Sequence, residues 1–300
     1  MNKLAQLKLD VAKQPLVQVI KPGIVFGNAI TVLGGYFLAA KGNPDWLVLL
    51  QVLIGTLTVI ASGCVINNII DRDIDSKMQR TCDRVLVTGE LSIAHAILYA
   101  IVLLGIGVLC LAATTPLALY SALFGYVVYV GFYSLYFKRQ SVWGTFIGSF
   151  SGAIPPVIGY AALTPSIDGV YWVLFAMFAI WQMPHAYAIA VFRKKDYSAA
   201  SIPVLPVKHS FRTTQWHIAI TIALFLIVGS LLTALNATGY WYLGVHLLLS
   251  GYWLFIAMKP IKVDSEQDQV QQQIKWAYKI FGLSIIIMMA LCLMMAIDYV

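Results

Sequence analysis

Asn67, Asp71 and Asp75 recur at four-residue intervals in the stretch Asn67-Asn68-Ile69-Ile70-Asp71-Arg72-Asp73-Ile74-Asp75. On an α-helix that spacing puts the amide and both carboxylates on one face. Asp73 sits about 200° round from Asp71, at roughly 3.6 residues per turn, and belongs to another face. Like charges four residues apart destabilise an isolated helix, so Asp71 and Asp75 need a compensating cation. Hard oxygen donors in this pattern suit Mg²⁺, which keeps several waters and takes substrate phosphates as further ligands. Arg80 and Arg84 follow at another four-residue interval. Guanidinium forks match the oxygens of a diphosphate, although the same two residues also read as anchors at a membrane surface.

These groups need elements to hold them, and the composition says what kind. Apolar residues make up 60% of the chain and charged residues 11%, with no more than 13 acids among 300 residues. Mean hydropathy is +0.81. A soluble domain is roughly half apolar and a quarter charged, so most of this chain faces lipid or a lipid-embedded core. Apolar runs near the ~20 residues that a spanning helix requires lie at 16–40, 46–68, 93–113, 117–137, 143–163, 169–192, 214–235, 238–258 and 276–297. Backbone in hydrocarbon must satisfy its own hydrogen bonds, and the runs lack the alternation of a β-barrel. The fold class is therefore all-α integral membrane, with about nine transmembrane helices. The whole chain, 1–300, reads as one multi-pass unit, with 1–15 a cytoplasmic N-terminal segment.

Nine spans put every Lys and Arg except Lys41, out of 20, on one side. The positive-inside rule makes that side cytoplasmic, with the C-terminus outside. The net charge of +7 is thus a topology signal spread over short loops, which excludes a nucleic-acid interface. Cys64, Cys82, Cys110 and Cys292 are widely spaced and form no metal or disulfide framework. No cleavable leader or transit peptide is evident, and a bacterial inner membrane is the expected location. The longer inner loops, 69–92 and 193–213, follow the second and sixth spans. Their placement suggests two pseudo-repeated four-helix halves plus a final helix, around a central cavity open to the cytoplasmic side.

The second loop contains Trp181-Gln182-Met183-Pro184-His185, then Arg193-Lys194-Lys195-Asp196-Tyr197, then Ile202-Pro203-Val204-Leu205-Pro206. His185 precedes Asp196 by nearly three helical turns, so on one unbroken helix both face the same groove. His185 either hydrogen-bonds a neighbouring helix or serves the binding of an acceptor.

With these blocks in view the chain resembles the intramembrane UbiA-type prenyltransferases. The likeness is carried by Asn67-xxx-Asp71-xxx-Asp75, by Met78-Gln79-Arg80-Thr81-xx-Arg84, and by Lys21-Pro22-Gly23-Ile24 with Asn28. The Trp181–His185 block and Gly152-Ala153-Ile154-Pro155-Pro156-Val157-Ile158-Gly159-Tyr160 are similar to its protoheme IX farnesyltransferase (haem O synthase) branch. Many relatives carry a second acidic motif in the second loop, which this chain lacks. Val85 stands where many relatives have Pro, and Lys208-His209 where they have small residues.

The resemblance implies farnesyl transfer from farnesyl diphosphate to a vinyl group of haem b, with water addition, at a Mg²⁺ site formed by Asn67, Asp71 and Asp75. It implies substrate binding by Lys21, Asn28, Arg80, Arg84, Gln182, His185, Arg193, Lys194, Asp196 and Tyr197. A downstream haem-modifying enzyme or a terminal oxidase assembly is an implied partner, beside the lipid bilayer. A quinone-type aromatic acceptor is the alternative within the same chemistry, and a non-catalytic haem or isoprenoid carrier is the alternative outside it.

Overall fold

A computed structural model describes residues 14–261 and 266–300. Lys3, Lys8, Lys13, Lys262 and most of the expected N-terminal segment lie outside the described residues. Regular structure among the described residues is helical, apart from a single β-bridge between Thr238 and Tyr299.

Eight helices are long and apolar enough to cross a membrane. They are α1 (Pro22–Ala40), α2 (Trp46–Ile70), α3 (Ile93–Ala112) and α4 (Pro116–Gln140), then α6 (Gly169–Phe192), α7 (Phe211–Ala234), α8 (Tyr240–Met258) and α9, whose spanning part is Asp268–Ile297. The expected segment 143–163 is present as α5, Gly144–Ala161. It is not among the eight because its Gly, Ser and Pro residues make it less apolar than they are. Its half from Ala153 to Ala161 is wholly buried, and a helix shielded from lipid can carry Gly, Ser and Pro in place of apolar bulk. The last helix also departs from expectation. It starts at Glu266, not near 276, and so carries a polar first turn ahead of its apolar run.

Capping explains several helix starts. Asp45 accepts from the amides of Leu47 (2.9 Å) and Val48 (3.1 Å) to open α2. Asp168 accepts from Tyr171 N at 2.8 Å to open α6, and also from the Tyr160 hydroxyl at 2.7 Å. Each such cap is worth about 1 kcal/mol. Asp298 accepts from Tyr242 N at 2.6 Å. The acids at this end of the bundle are therefore committed to helix ends.

The first helices of the two expected halves, α1 and α5, pack against each other. A β-carbon on Gly35 would lie 1.8 Å from the Pro156 carbonyl oxygen, and one on Gly159 would lie 2.1 Å from the Val32 carbonyl oxygen. These two positions have to be glycine for the backbones to approach. Pairs α2–α3 and α6–α7 flank this centre, and α9 closes the arrangement by touching α1, α6 and α8. Trp181, Trp253 and Trp276 each donate an indole N–H to a backbone carbonyl across the contacts of α9 with α6 and α8.

Candidate active site

α2 ends at Ile70, and Asp71 takes φ −85° and ψ 0° before a short helix over Arg72–Asp75. The i,i+4 register survives the change. Asp71 N donates to Asn67 O and Asp75 N to Asp71 O, both at 2.8 Å. The expected shared face exists, since Asn67 Nδ2 donates to Asp71 Oδ2 at 2.8 Å. Asp71 is 0% and Asp75 1% exposed, while the Asp73 side chain is 61% exposed. The period-four reading separates them in that way.

Buried carboxylates must be neutralised, and four cations do so here. Lys138 pairs with Asp71 Oδ2. Arg139 makes a bidentate pair with Asp73 at 2.7 and 2.8 Å, and approaches Asp71 Oδ1 at 3.6 Å. Arg84 Nη1 donates to Asp75 Oδ2 at 2.5 Å and to Asn68 Oδ1 at 3.0 Å. Lys21 Nζ donates to Asn67 Oδ1 at 2.5 Å. Three carboxylates thus face four cations, which leaves the cluster net positive and receptive to an anion. The Arg139 fork holds the Asp73 carboxyl down at about 2, and loss of water around Lys21 pushes its ammonium down to about 8.

Local backbone aims these groups. Lys21 adopts φ 56° and ψ 69°, a left-handed conformation just before Pro22. Such a conformation costs a non-glycine residue of order 1–3 kcal/mol and collects at functional positions. Asn68 Nδ2 ties this turn down by donating to Val19 O at 2.8 Å. In α4 the backbone is π-helical from Val128 to Phe137, immediately before Lys138 and Arg139. Within it Ser134 donates to Tyr129 O at 2.8 Å and accepts from Asn67 Nδ2 at 2.9 Å.

Loops 69–92 and 193–213 meet beside the cluster. Ile74 and Met78 from the first pack with Ala200 and Ile202 from the second, and Tyr197 and Val204 lie against them. A cleft of ≈ 60 Å³ is lined by Lys21, Asn68, Asp75 and Arg84 among others. A larger one, ≈ 430 Å³, lies away from the cluster between α7, α8 and α9.

Asp71 Oδ1 is buried without a hydrogen-bond partner. An orphaned hard oxygen, with the buried carboxylate of Asp75 one helical turn away, fits a Mg²⁺ ion. No group of three or more His, Cys, Asp or Glu among the described residues forms a full metal cage. Mg²⁺ does not need one, because waters and phosphates complete its shell.

The remaining expected residues are placed less centrally. Arg80 and Lys194 are exposed, and Arg193 pairs with Asp196 at 3.8 Å. Asn28 turns back to the Ile24 carbonyl at 2.8 Å. The expectation that His185 and Asp196 share an unbroken helix fails. α6 runs through Pro184 but stops at Phe192, and Arg193 leaves helical geometry with φ −106° and ψ 18°. His185 contacts α9 instead, with Nδ1 2.8 Å from Ser284 Oγ. Gln182 lies against Gly152 of α5, where a β-carbon would come within 2.7 Å of its amide carbon. Lys138, Arg139 and Ser134 are the cluster members that sequence reasoning missed. In the sequence Lys138 and Arg139 read only as topology charges, and their position at the end of the fourth span is the available signal.

The profile described as the UbiA prenyltransferase family matches residues 28–296. The protein named Protoheme IX farnesyltransferase 2 from Shewanella sp. (strain ANA-3) is 51% identical over 285 residues, covering 94% of this chain and 90% of that one. The protein of the same name from Pseudomonas fluorescens (strain Pf0-1) is 51% identical over 284 residues, covering 94% of each. Among solved structures, a digeranylgeranylglyceryl phosphate synthase superposes with a TM-score of 0.74 at 18% identity, covering 93% of this chain and 97% of that one. A UbiA homologue from Archaeoglobus fulgidus bound to GPP and Mg²⁺ superposes with a TM-score of 0.66 at 17% identity, covering 92% and 99%. At these identities the structural likeness concerns the fold.

Proposed function

Since the chain belongs to the UbiA prenyltransferase family, we infer that it transfers the farnesyl group of farnesyl diphosphate to a vinyl group of haem b. The observation that carries the choice of acceptor is the 51% identity, over 94% of the chain, to proteins named protoheme IX farnesyltransferase. The chain is a prenyltransferase and a multi-pass membrane protein of the UbiA fold. Its diphosphate end is the cluster around Asp71, and Asn67, Asp71 and Asp75 are the residues that would hold Mg²⁺. A UbiA homologue that binds GPP and Mg²⁺ has the same fold, which supports this reading.

The overall reaction balances as haem b, farnesyl diphosphate and water giving haem O and diphosphate. The bond from farnesyl C1 to the diphosphate oxygen breaks, and a new carbon–carbon bond joins C1 to the vinyl group. Water then adds to the neighbouring carbon and loses a proton. When bound, Mg²⁺ supplies positive charge to the departing diphosphate. Lys21, Arg84, Lys138 and Arg139, which neutralise the buried acids, supply fixed positive charge at the same place. Charge arranged in advance where it is needed is the main electrostatic contribution to such a step.

The packed loop residues Ile74, Met78, Ile202 and Tyr197 keep bulk water from the allylic carbon as it gains cationic character. Arg80, Arg193 and Lys194 extend the basic surface over which the diphosphate arrives. Gln182 and His185, deeper in α6, belong to the acceptor seat, and Asn28, Asp196 and Tyr197 line the route between the two. The chain sits in a bacterial inner membrane as a single nine-span unit, with α5 as one of the nine. Its cavity opens to the cytoplasm, its N-terminus is cytoplasmic and its C-terminus is outside.

Diphosphate release from farnesyl diphosphate is the test. The reading requires release that depends on both haem b and Mg²⁺. Release that proceeds with a quinone-type aromatic and not with haem b would overturn it.

A further inference from the structure

His185 and Ser284 form a contact whose proton can be assigned by counting. His185 Nδ1 and Ser284 Oγ are 2.8 Å apart. Ser284 has one hydroxyl proton, and it is donated to the Phe281 carbonyl at 2.6 Å. The oxygen is then only an acceptor towards the imidazole, so the hydrogen in the 2.8 Å contact is carried by Nδ1. A neutral imidazole has one N–H, and Nε2 is left with a free lone pair.

The surroundings fix the ring as well as the proton. His185 stacks on Trp181 with centroids 5.0 Å apart and planes inclined by 26°. On Phe281 it rests at 4.8 Å and 37°. Trp181 Nε1 donates to the Ser284 backbone carbonyl at 3.0 Å. Ser284 therefore holds the imidazole with its hydroxyl and the indole beneath it with its carbonyl. Its own exposure is 0%, so water does not compete for either bond. Phe192 and Tyr278 continue the aromatic lining, stacked at 4.4 Å, with Phe192 set edge-on to Phe281. The contact between α6 and α9 thus joins an apolar aromatic lining to one basic nitrogen.

We propose that Ser284 is a positioning residue that locks His185 in its Nδ1–H tautomer, so that Nε2 offers its lone pair to the iron of the haem acceptor. An imidazole that donates from one nitrogen while the other binds metal is the usual arrangement of a ligating histidine. The aromatic surroundings suit an apolar tetrapyrrole. The ligation half of the inference rests on the acceptor named under "Proposed function", whereas the tautomer half does not.

The test begins without acceptor, by ¹⁵N NMR of histidine-labelled full-length protein, with His185→Gln used to assign the His185 signals. The wild type should show Nδ1 protonated and Nε2 bare. Ser284→Ala should give a mixture of tautomers, and Ser284→Thr should restore the wild-type pattern. The same four proteins are then titrated with ferric haem b and followed by absorption and electron paramagnetic resonance. Wild type and Ser284→Thr should show an imidazole-ligated iron, lost in His185→Gln, with affinity weakened roughly 10-fold or more in Ser284→Ala.

A protonated Nε2 in the wild type, or a Ser284→Ala variant with unchanged tautomer and iron spectrum, overturns the proposal. Haem b turnover by the wild type, measured alongside, separates it from the functional reading. Turnover without an iron–imidazole signal overturns this inference alone, and absence of both overturns the two together.

Discussion

At the scale of single residues the account turns on Asp71, whose two oxygens have different surroundings. Oδ2 is met by Asn67 and Lys138, whereas Oδ1 is buried and lacks a hydrogen bond. Asp71→Ala should abolish farnesyl transfer with membrane insertion unchanged, as judged by turnover beside the amount of protein in washed membranes. Normal turnover in that variant would remove Asp71 from the site. Lys138→Met tests the cation assignment. Loss of one fixed charge at the departing group should lower kcat/KM for farnesyl diphosphate on the order of 10²-fold. Steady-state kinetics with saturating haem b read this directly, and a change under threefold would make Lys138 a structural partner of Asp71 and nothing more. The Asn67, Asp71 and Asp75 face was legible because it depends only on local helical periodicity. Lys138 was not, because it meets Asp71 across a sequence separation of 67, and periodicity carries no information about such a contact.

At the scale of elements, α1 and α5 form the tight centre from which the cluster is supported. Gly35→Ala would drive a β-carbon into the Pro156 carbonyl. Overpacking of this kind costs about 1–3 kcal/mol. The variant should therefore melt several degrees below wild type in detergent, and an unchanged melting temperature would contradict the packing described. The Gly152–Tyr160 block was visible in the sequence, but only as a resemblance. Its physical content appears in the fold, where Gly159 admits the Val32 carbonyl and Gly152 makes room for Gln182. The failed expectation for His185 and Asp196 is equally instructive. α6 passes through Pro184 and ends at Phe192, beyond which Arg193 leaves helical geometry and a separate short helix, Lys194–Ala199, carries Asp196. The π-helical stretch of α4 left no mark in the apolar pattern, because its side chains are as apolar as those of an α-helical span.

At the scale of the whole molecule the main claim is polarity. The anion-receptive cluster lies at the end where Lys and Arg concentrate, and the acids Asp45, Asp168 and Asp298 at the other end are spent on helix starts. A carrier would need charged groups along a path through the bundle, and the buried carboxylates among the described residues, Asp71 and Asp75, lie together in the cluster. The chain provides its own topology probe, because Cys82 is exposed in the first inner loop while Cys64 and Cys292 are buried. A membrane-impermeant maleimide should modify Cys82 in inverted vesicles and leave it unmodified in intact spheroplasts, with peptide mass spectrometry locating the adduct. The reverse pattern would invert the assigned orientation. Charge bias alone carries this expected orientation, since it needs only the order of spans and loops and no tertiary contact.

The central claim is the reaction itself, and the most direct measurement is mass spectrometry of the tetrapyrrole after purified protein, Mg²⁺, farnesyl diphosphate and haem b are incubated together. The account predicts a haem whose mass has grown by one farnesyl group and one hydroxyl, formed with wild type and absent with EDTA or Asp71→Ala. Unmodified haem b recovered beside intact farnesyl diphosphate, from protein that is folded and supplied with Mg²⁺, would contradict it.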